Sequence, residues 1–555
     1  MYTKLRKFKS RSIFFIFLLC FLFQYPSSIA QDCIQSLNFE FKPSLAGKGV
    51  NWFQFPEFTL PFKVVYGGAS SFANSNFMFK RGFTHFSNPN DLTRLPIKNR
   101  AFIYYGVAFT NPNLQPWALL KSPWNNDMKV YQAHWDREIT RMKVETSGNA
   151  TIDTDILVFD IERQIKSEDS ILVLKNLPST SQDLKNLSNT GFIDQYKKQL
   201  QDLYFNSVDY TLKNGKINSP FISSYADTPI LNTFTNIQGK SWQDWKINKS
   251  VINFLTFDFA NNKVGGKFYD SQTILTPSAY FYFDYPHPFA SEYLSYLLFQ
   301  CEANRAWSNK DLMLYVWLKY SYTPEFVHKN IRPWMAEACG VFPFFAGAKG
   351  IWLWEQTGIV KNEDNLSNYE YFTKGLYRVS QFKEMFEGDY KLIEAFSARE
   401  YNENKLPIWR GIQNGKKILV AAQNPYAKSE SEEVSLVMNY GSWSKTIKLK
   451  GYEVFMCKYD FDLSLSVEPE INIVDFRVFP NPSSKTIRFK LILKNESFIT
   501  IRLSDMDGKE LFKEKLTNKV KMIDRSIDLK TNLSNQVILT IETSTEKKSA
   551  RVLIY

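Results

Sequence analysis

Carboxylates end several apolar runs in the middle of this chain, at a spacing that suits proton transfer. In Thr154-Asp155-Ile156-Leu157-Val158-Phe159-Asp160-Ile161-Glu162-Arg163, strand alternation puts Ile156, Val158, Asp160 and Glu162 on one face. Two acids two residues apart on one face repel, which raises the proton affinity of one while its neighbour stays charged. A general acid needs that shift to hold its proton near neutral pH. The structural alternative has Asp160 capping the next helix and Glu162 paired with Arg163 or another base. A further acid, Asp284, closes Tyr280-Phe281-Tyr282-Phe283-Asp284 and shares a face with Tyr280 and Tyr282. It could equally cap the loop before Pro286. The run 350–355 ends in Trp354 and Glu355, which alternation sends opposite ways. A regular strand therefore offers either an indole floor or an acid, and an indole beneath carboxylates suits the apolar C–H face of a sugar. His85, at the end of another run, is a candidate substrate donor, and Tyr282 a candidate contact.

The other constellations are weak. His85, His134, His287 and His328 are scattered, and the cysteines have no metal-ligand spacing. No zincin, nucleophile-elbow, Walker or dinucleotide signature occurs. Neither a metal nor another cofactor is expected. Glu337 lies in an apolar helical stretch and reads as a partnered amphipathic residue, and Trp242 and Trp245 lie in a long insertion that meets a polymer or forms a packed subdomain.

Parallel α/β structure would position these acids. Strand-like runs at 62–66, 82–86, 101–109, 156–161, 220–225, 279–284, 312–320 and 350–354 alternate with helical stretches at 194–213, 291–307, 324–345 and 369–386. Eight runs in about 330 residues suit a (β/α)8 TIM-type barrel with insertions, whose chemistry sits at the carboxyl ends of its strands; a doubly wound sheet is the alternative. Residues 391–462 turn strand-rich and read as a small antiparallel β domain. The expected organisation is a signal peptide over 1–30, a catalytic-type barrel over 31–390, the β domain over 391–462, and a linker with a β-sandwich over 463–555.

The 555 residues carry a formal charge of +12, which concentrates at the ends. Residues 1–30 hold five basic side chains and no acid, and residues 463–555 hold 16 basic against 12 acidic ones, leaving about +3 between. Nothing in that balance calls for nucleic acid. A basic segment over 1–11, an apolar run over 13–23 and Ser28-Ile29-Ala30 form a secretory leader with cleavage expected before Gln31. No later segment is long and apolar enough to span a membrane. Cys301 and Cys339 read as buried thiols, with one disulfide possible elsewhere.

Two resemblances follow from these residues. Near the C-terminus, Phe479-Pro480-Asn481-Pro482, the turn Asp505-Met506-Asp507-Gly508 before Lys509-Glu510-Leu511, and the terminal Arg551-Val552-Leu553-Ile554-Tyr555 resemble the type A sorting domain of the type IX secretion system of Bacteroidota. That implies the type IX machinery as partner and a secreted or cell-surface protein; a carbohydrate-binding or adhesion module is the alternative. The fourth run resembles the D-x-x-D-x-D-x-E signature of family 18 glycoside hydrolases, with Asp155, Asp160 and Glu162 matching and Val158 in place of the middle acid. The family's Met-x-Tyr-Asp segment has its counterpart in Phe281-Tyr282-Phe283-Asp284, which keeps only the Asp, and its tryptophan in Trp354. The resemblance implies Glu162 as the acid that protonates the glycosidic oxygen. It also implies that Asp160 and Asp284 hold the acetamido group, with Trp354 as floor. The substrate would be an extracellular polysaccharide or oligosaccharide. Ordinary two-carboxylate hydrolysis using Glu355 or Asp284, a barrel that binds polysaccharide without cleaving it, and a surface adhesin are the competing readings.

Overall fold

The computed structural model describes residues 32–33, 37, 39–68, 75–87, 92–104, 123, 128–148, 150–161, 167–232, 237, 239–321, 323–356, 364–461, 473–481, 483, 486–505, 509–529, 536–543 and 547–554. The expected leader, the end of the run 101–109, Glu162 and the tip of the 505–508 turn lie outside them. The chain divides into two compact units, one comprising the residues up to Leu436 with Thr446–Asp460, the other Val437–Lys445 with Phe461–Tyr555.

The first unit is mixed α/β. Its parallel strands are β1 (Lys63–Tyr66), β2 (His85–Phe86), β3 (Ala101–Tyr104), β4 (Ile156–Phe159), β5 (Phe221–Ser224), β6 (Met313–Trp317) and β7 (Gly350–Trp354). They pair as a four-stranded sheet in the order β6-β7-β1-β2 and a three-stranded sheet in the order β3-β4-β5. Isolated parallel bridges extend the pairing from Phe86 to Arg100, from Tyr225 to Thr276, and from Leu275, Ser278 and Phe281 to Leu312, Tyr315 and Tyr320. All four residues of β4 are buried, as a parallel strand covered on both faces requires. The expected run 279–284 is therefore present only as single bridges beginning earlier, at 275. Pro277 has no N–H for a ladder there, although its carbonyl accepts from the Tyr315 amide at 2.9 Å.

Helices cover the outer faces. Of those used below, α1 (Asn189–Asn214) starts on the Ser188 hydroxyl, which accepts from the Gly191 amide, and buries Phe192, Tyr196, Leu200, Leu203 and Val208 at helical spacing. Helix α2 (Tyr293–Trp307) is buried almost all round. The helix expected over 324–345 is broken into α3 (Pro333–Cys339) and the short turn Phe342–Phe345, each with proline in its first turn. Proline lacks the N–H that a continuous helix would use, so it starts helices and does not sit inside them. Helix α4 (Ser367–Ser380) carries Glu370, whose fully buried carboxylate accepts from the Ser44 amide and hydroxyl and the Asn51 amide. That ties the N-terminal stretch across the helix.

An antiparallel sheet follows, ordered Asp32–Cys33, Phe455–Asp460, Lys417–Gln423, Ile408–Asn414 and Lys391–Ile393. Cys457 is disulfide-bonded, and Cys301 and Cys339 are free and buried. This sheet is joined to α2 by one ion pair with no solvent exposure: the Arg410 guanidinium donates to Glu302 Oε1 through Nε, at 2.9 Å, and through Nη2. The Ala398 amide donates to the other Glu302 oxygen at 2.7 Å.

Among the described residues after Phe461, the C-terminal unit holds a sandwich of seven antiparallel strands. One sheet is Ile473–Phe479, Thr486–Ser497 and Val520–Asp528; the other is Glu510–Lys515, Thr500–Asp505, Gln536–Glu542 and Lys547–Leu553. Alternate residues Ile487, Phe489 and Leu491 of one sheet and Ile501, Leu503, Val537, Leu539 and Ile541 of the other fill a common core. Among the described residues no helix is long and apolar enough to cross a membrane.

A buried pair broken on one side leaves an uncompensated charge, so Arg410→Met should destabilise the fold by about 3–5 kcal/mol in denaturant titration. The double variant Glu302→Met/Arg410→Leu should lose less than the single one. A double variant that loses more would show that the pair contributes net stability.

Candidate active site at the carboxyl edge

The inner faces of the parallel strands are packed with rings. Val65, Ala101, Ile156, Val158, Tyr225, Tyr280, Met313, Tyr315, Trp317 and Trp352 form one buried cluster, with Trp354 packed against it. Tyr315 stacks on Trp352 at 4.9 Å, Tyr280 on Trp354 at 5.6 Å, and Trp317 meets Trp354 edge-on at 4.9 Å. The Tyr315 hydroxyl and the Trp352 indole nitrogen are buried and have no hydrogen-bond partner among the described residues.

Asp160 follows β4 directly, and its amide still donates to the Tyr104 carbonyl at 2.9 Å, so it stands at the carboxyl edge of the strands. It is 6% exposed. Burial first, then Tyr225, then Tyr315 and last the Asp160 charge hold the Tyr280 hydroxyl protonated well above its ordinary range. Burial and Asp160 do the same to Tyr315. Asp160 thus faces two neutral phenols, both able to donate to a carboxylate or a ligand. Its expected companion Glu162 lies outside the described residues.

Trp354 and Glu355 escape the either-or of alternation because β7 ends at Trp354. Trp354 turns to the ring cluster, while the buried Glu355 bends over the strand ends. Its Oε1 accepts from the Trp317 indole at 2.8 Å and the Gln356 amide at 2.9 Å, and its Oε2 from the Tyr369 hydroxyl of α4 at 2.8 Å. Lys319 Nζ lies 3.5 Å from Oε2.

Asp284 is held elsewhere. It accepts from the Tyr320 hydroxyl at 2.8 Å, Arg332 Nε and Nη2 at 2.7 and 3.1 Å, and the Tyr285 amide at 2.7 Å. With both oxygens engaged, this carboxylate anchors the loop after the 275–281 segment to the start of α3. Tyr282 accepts from Asn232 Nδ2 at 3.3 Å, and Asn232 in turn receives the Tyr296 hydroxyl of α2.

His85 is not at this edge. Its Nε2 lies 2.8 Å from Asp155 Oδ2, and Asp155 precedes β4, at the end opposite Asp160. The four residues of β4 lie between the two acids, so five steps along the strand set them roughly 16 Å apart. Lys63 Nζ also reaches Asp155 at 2.8 Å, and His85 Nδ1 lies 2.7 Å from the Thr84 hydroxyl. A neutral imidazole protonated on Nε2 satisfies both neighbours. Burial works against the Asp155 charge, but the hydrogen bonds from His85 and Lys63 outweigh it and lower its pKa. Burial also lowers the pKa of His85, against the pull of Asp155. Asp155, the first acid of the sequence motif, is thus part of the base that ties β1, β2 and β4 together.

Residues singled out in the sequence miss part of this arrangement. Tyr315 and Trp317 share a face by alternation, and the run 312–320 contained that signal, while Lys319 lies past the end of β6. Arg332 and Tyr369 come from helices and carry no local mark.

The comparisons bear on the two units differently. Residues 477–555 match the secretion system C-terminal sorting domain. That region is a type IX sorting address, so the chain is exported, to be secreted or held at the cell surface. No curated protein matches the chain. Among solved structures, bee venom hyaluronidase is similar at 13% identity and a TM-score of 0.35, covering 57% of this chain and 99% of that one. A glycoside hydrolase family 30 subfamily 8 xylanase from Clostridium acetobutylicum is similar at 10% identity and a TM-score of 0.32, covering 73% and 96%. A modular endo-β-1,4-mannanase from Cellulomonas fimi is similar at 10% identity and a TM-score of 0.26, covering 87% and 78%. Superpositions this loose carry no weight for the chemistry.

Because the folded pKa of His85 lies below 6.5, the unfolded chain takes up that proton first as pH falls. Asp155, lowered from 3.8, adds the same sign further into acid. Thermal midpoints should therefore fall from about pH 6.5 downward, and less steeply between pH 6.5 and 5 in His85→Gln. Equal slopes in the two proteins would contradict a depressed His85.

Proposed function

We propose that the first unit is a glycoside hydrolase acting outside the cell on a polysaccharide or oligosaccharide. In this reading residues 31–390 form a (β/α)8 barrel, 391–462 a small β domain, and 463–555 the linker and sorting sandwich. The bridges support closure, since Phe86–Arg100 joins the two parallel sheets on one side, and Tyr225–Thr276 and Leu275–Leu312 join them on the other through the 275–281 segment. One observation carries the function: a buried carboxylate, Asp160, at the carboxyl edge of the strands, beside two phenols held neutral and a floor of stacked rings.

Glu162, two residues beyond Asp160, is the general acid. Asp160 orients the substrate and, as a neighbouring charge, keeps the proton on Glu162. Trp354 and Tyr280 present ring faces to the sugar. Asp284 acts through position, fixing the loop that carries Tyr282. Glu355 favours a second reading, in which it pairs with Glu162 as nucleophile or base, because it too stands at the carboxyl edge against Trp317. Its three close donors make it a weaker nucleophile than an open carboxylate.

Glu162→Gln should lower hydrolysis of the responsive glycan by about 10²–10⁴-fold while polysaccharide affinity is retained. Glu355→Gln should lower it far less under the first reading and comparably under the second. If wild-type protein cleaves nothing on a broad glycan panel but binds one of its members, the barrel is a binding module.

A further inference from the structure

Lys319 is a cation on a face otherwise given to rings. The next side chain goes elsewhere: the Tyr320 hydroxyl reaches Asp284 and Met335 Sδ. Lys319 lies past the end of β6, and its contact with Glu355, which also accepts from the Trp317 indole, sets its ammonium on the ring side of the carboxyl edge. It is 5% exposed.

An ammonium taken out of water needs a carboxylate at hydrogen-bond distance. Charge-assisted N–H···O contacts run to about 2.7–2.9 Å. Among the described residues the ion-pair partner of Lys319 is Glu355, at 3.5 Å. Closer donors already occupy Glu355, namely the Trp317 indole, the Gln356 amide and the Tyr369 hydroxyl. The Glu355 charge is spread over three neutral groups, so the Lys319 ammonium keeps donor capacity beyond that contact. Tyr280 links this cation to the acid, packing on Trp317 at 5.7 Å while lying in the field of Asp160. Cation and acid thus border one aromatic floor.

We propose that the glycan taken at this site carries an anionic group, a uronate carboxylate or a sulfate half-ester, and that Lys319 recognises it. This rests on the hydrolase reading and adds the substrate class. The anion sits on a sugar beside the scissile bond, away from the Asp160 charge. Recognition there is by charge-assisted hydrogen bonding, so it distinguishes a charged polymer from the same polymer with the charge removed.

The test uses wild-type protein on polygalacturonate, glucuronoxylan and hyaluronan, each before and after reduction of its carboxyl groups, and on carrageenan before and after desulfation. The expected result is a fall in kcat/KM of roughly ten-fold or more on removing the recognised group. The carboxylate arm or the sulfate arm responds according to the source. In Lys319→Met the ratio between charged and neutral forms should approach one. Equal turnover of charged and neutral forms by wild type overturns the anionic assignment and leaves the hydrolase reading standing. No cleavage of any of these polymers, charged or neutral, or of any other glycan overturns both. A ratio unchanged in Lys319→Met at an unchanged melting midpoint removes Lys319 from the recognition. If that variant does not fold, the wild-type comparison decides the substrate class alone.

Discussion

The carboxyl edge of the parallel strands depends on the hydrogen bond from the Trp317 indole to Glu355. Trp317 is 4% exposed, wedged against Tyr280, Trp354 and His328, and its single polar atom cannot reach water. Leaving that N–H unmet would cost about 1–3 kcal/mol. Glu355 meets it from outside the ladder and so sets the rotation of the indole, and the indole sets the two rings packed on it. Tyr369 of α4 holds Glu355 in turn, and the adjoining Glu370 holds the N-terminal stretch through Ser44 and Asn51. The orientation of the floor is thus anchored through a helix to a segment more than 300 residues away in sequence.

The acids of the fourth run separate by position into two tasks. Asp155, before the strand, is locked through Oδ2 by His85 and Lys63. Asp160, after it, faces phenols that stay protonated because they are buried beside its charge. The same side chain is tied into the structure at one end of the strand and stands at the carboxyl edge at the other.

Much of this was legible in residue order. The runs 62–66, 156–161, 220–225, 312–320 and 350–354 contain the observed strands, because strands buried on both faces need uninterrupted apolar residues. The sorting domain was legible from Pro480, the 505–508 turn and the last strand. The 275–281 segment was misplaced, since Pro277 breaks the pattern that a ladder would show. His85 read either as a substrate donor or as a structural residue, because its partner Asp155 lies 70 residues on and carries no local mark. Lys319 was overlooked because it lies past the end of β6, where a lysine ordinarily points to water, and its partner Glu355 comes from another strand end.

By itself the sequence determined which residues alternate, which runs are buried, and that the chain is exported, because these follow from local periodicity and a short motif. Tertiary structure alone decided which acids are spent. Asp284 is consumed by Arg332 and Tyr320, Asp155 by His85 and Lys63, and Glu355 by Trp317 and Tyr369, all across separations with no local signature. Whether a carboxylate can do chemistry depends on the donors that reach it, and folding alone brings those donors together.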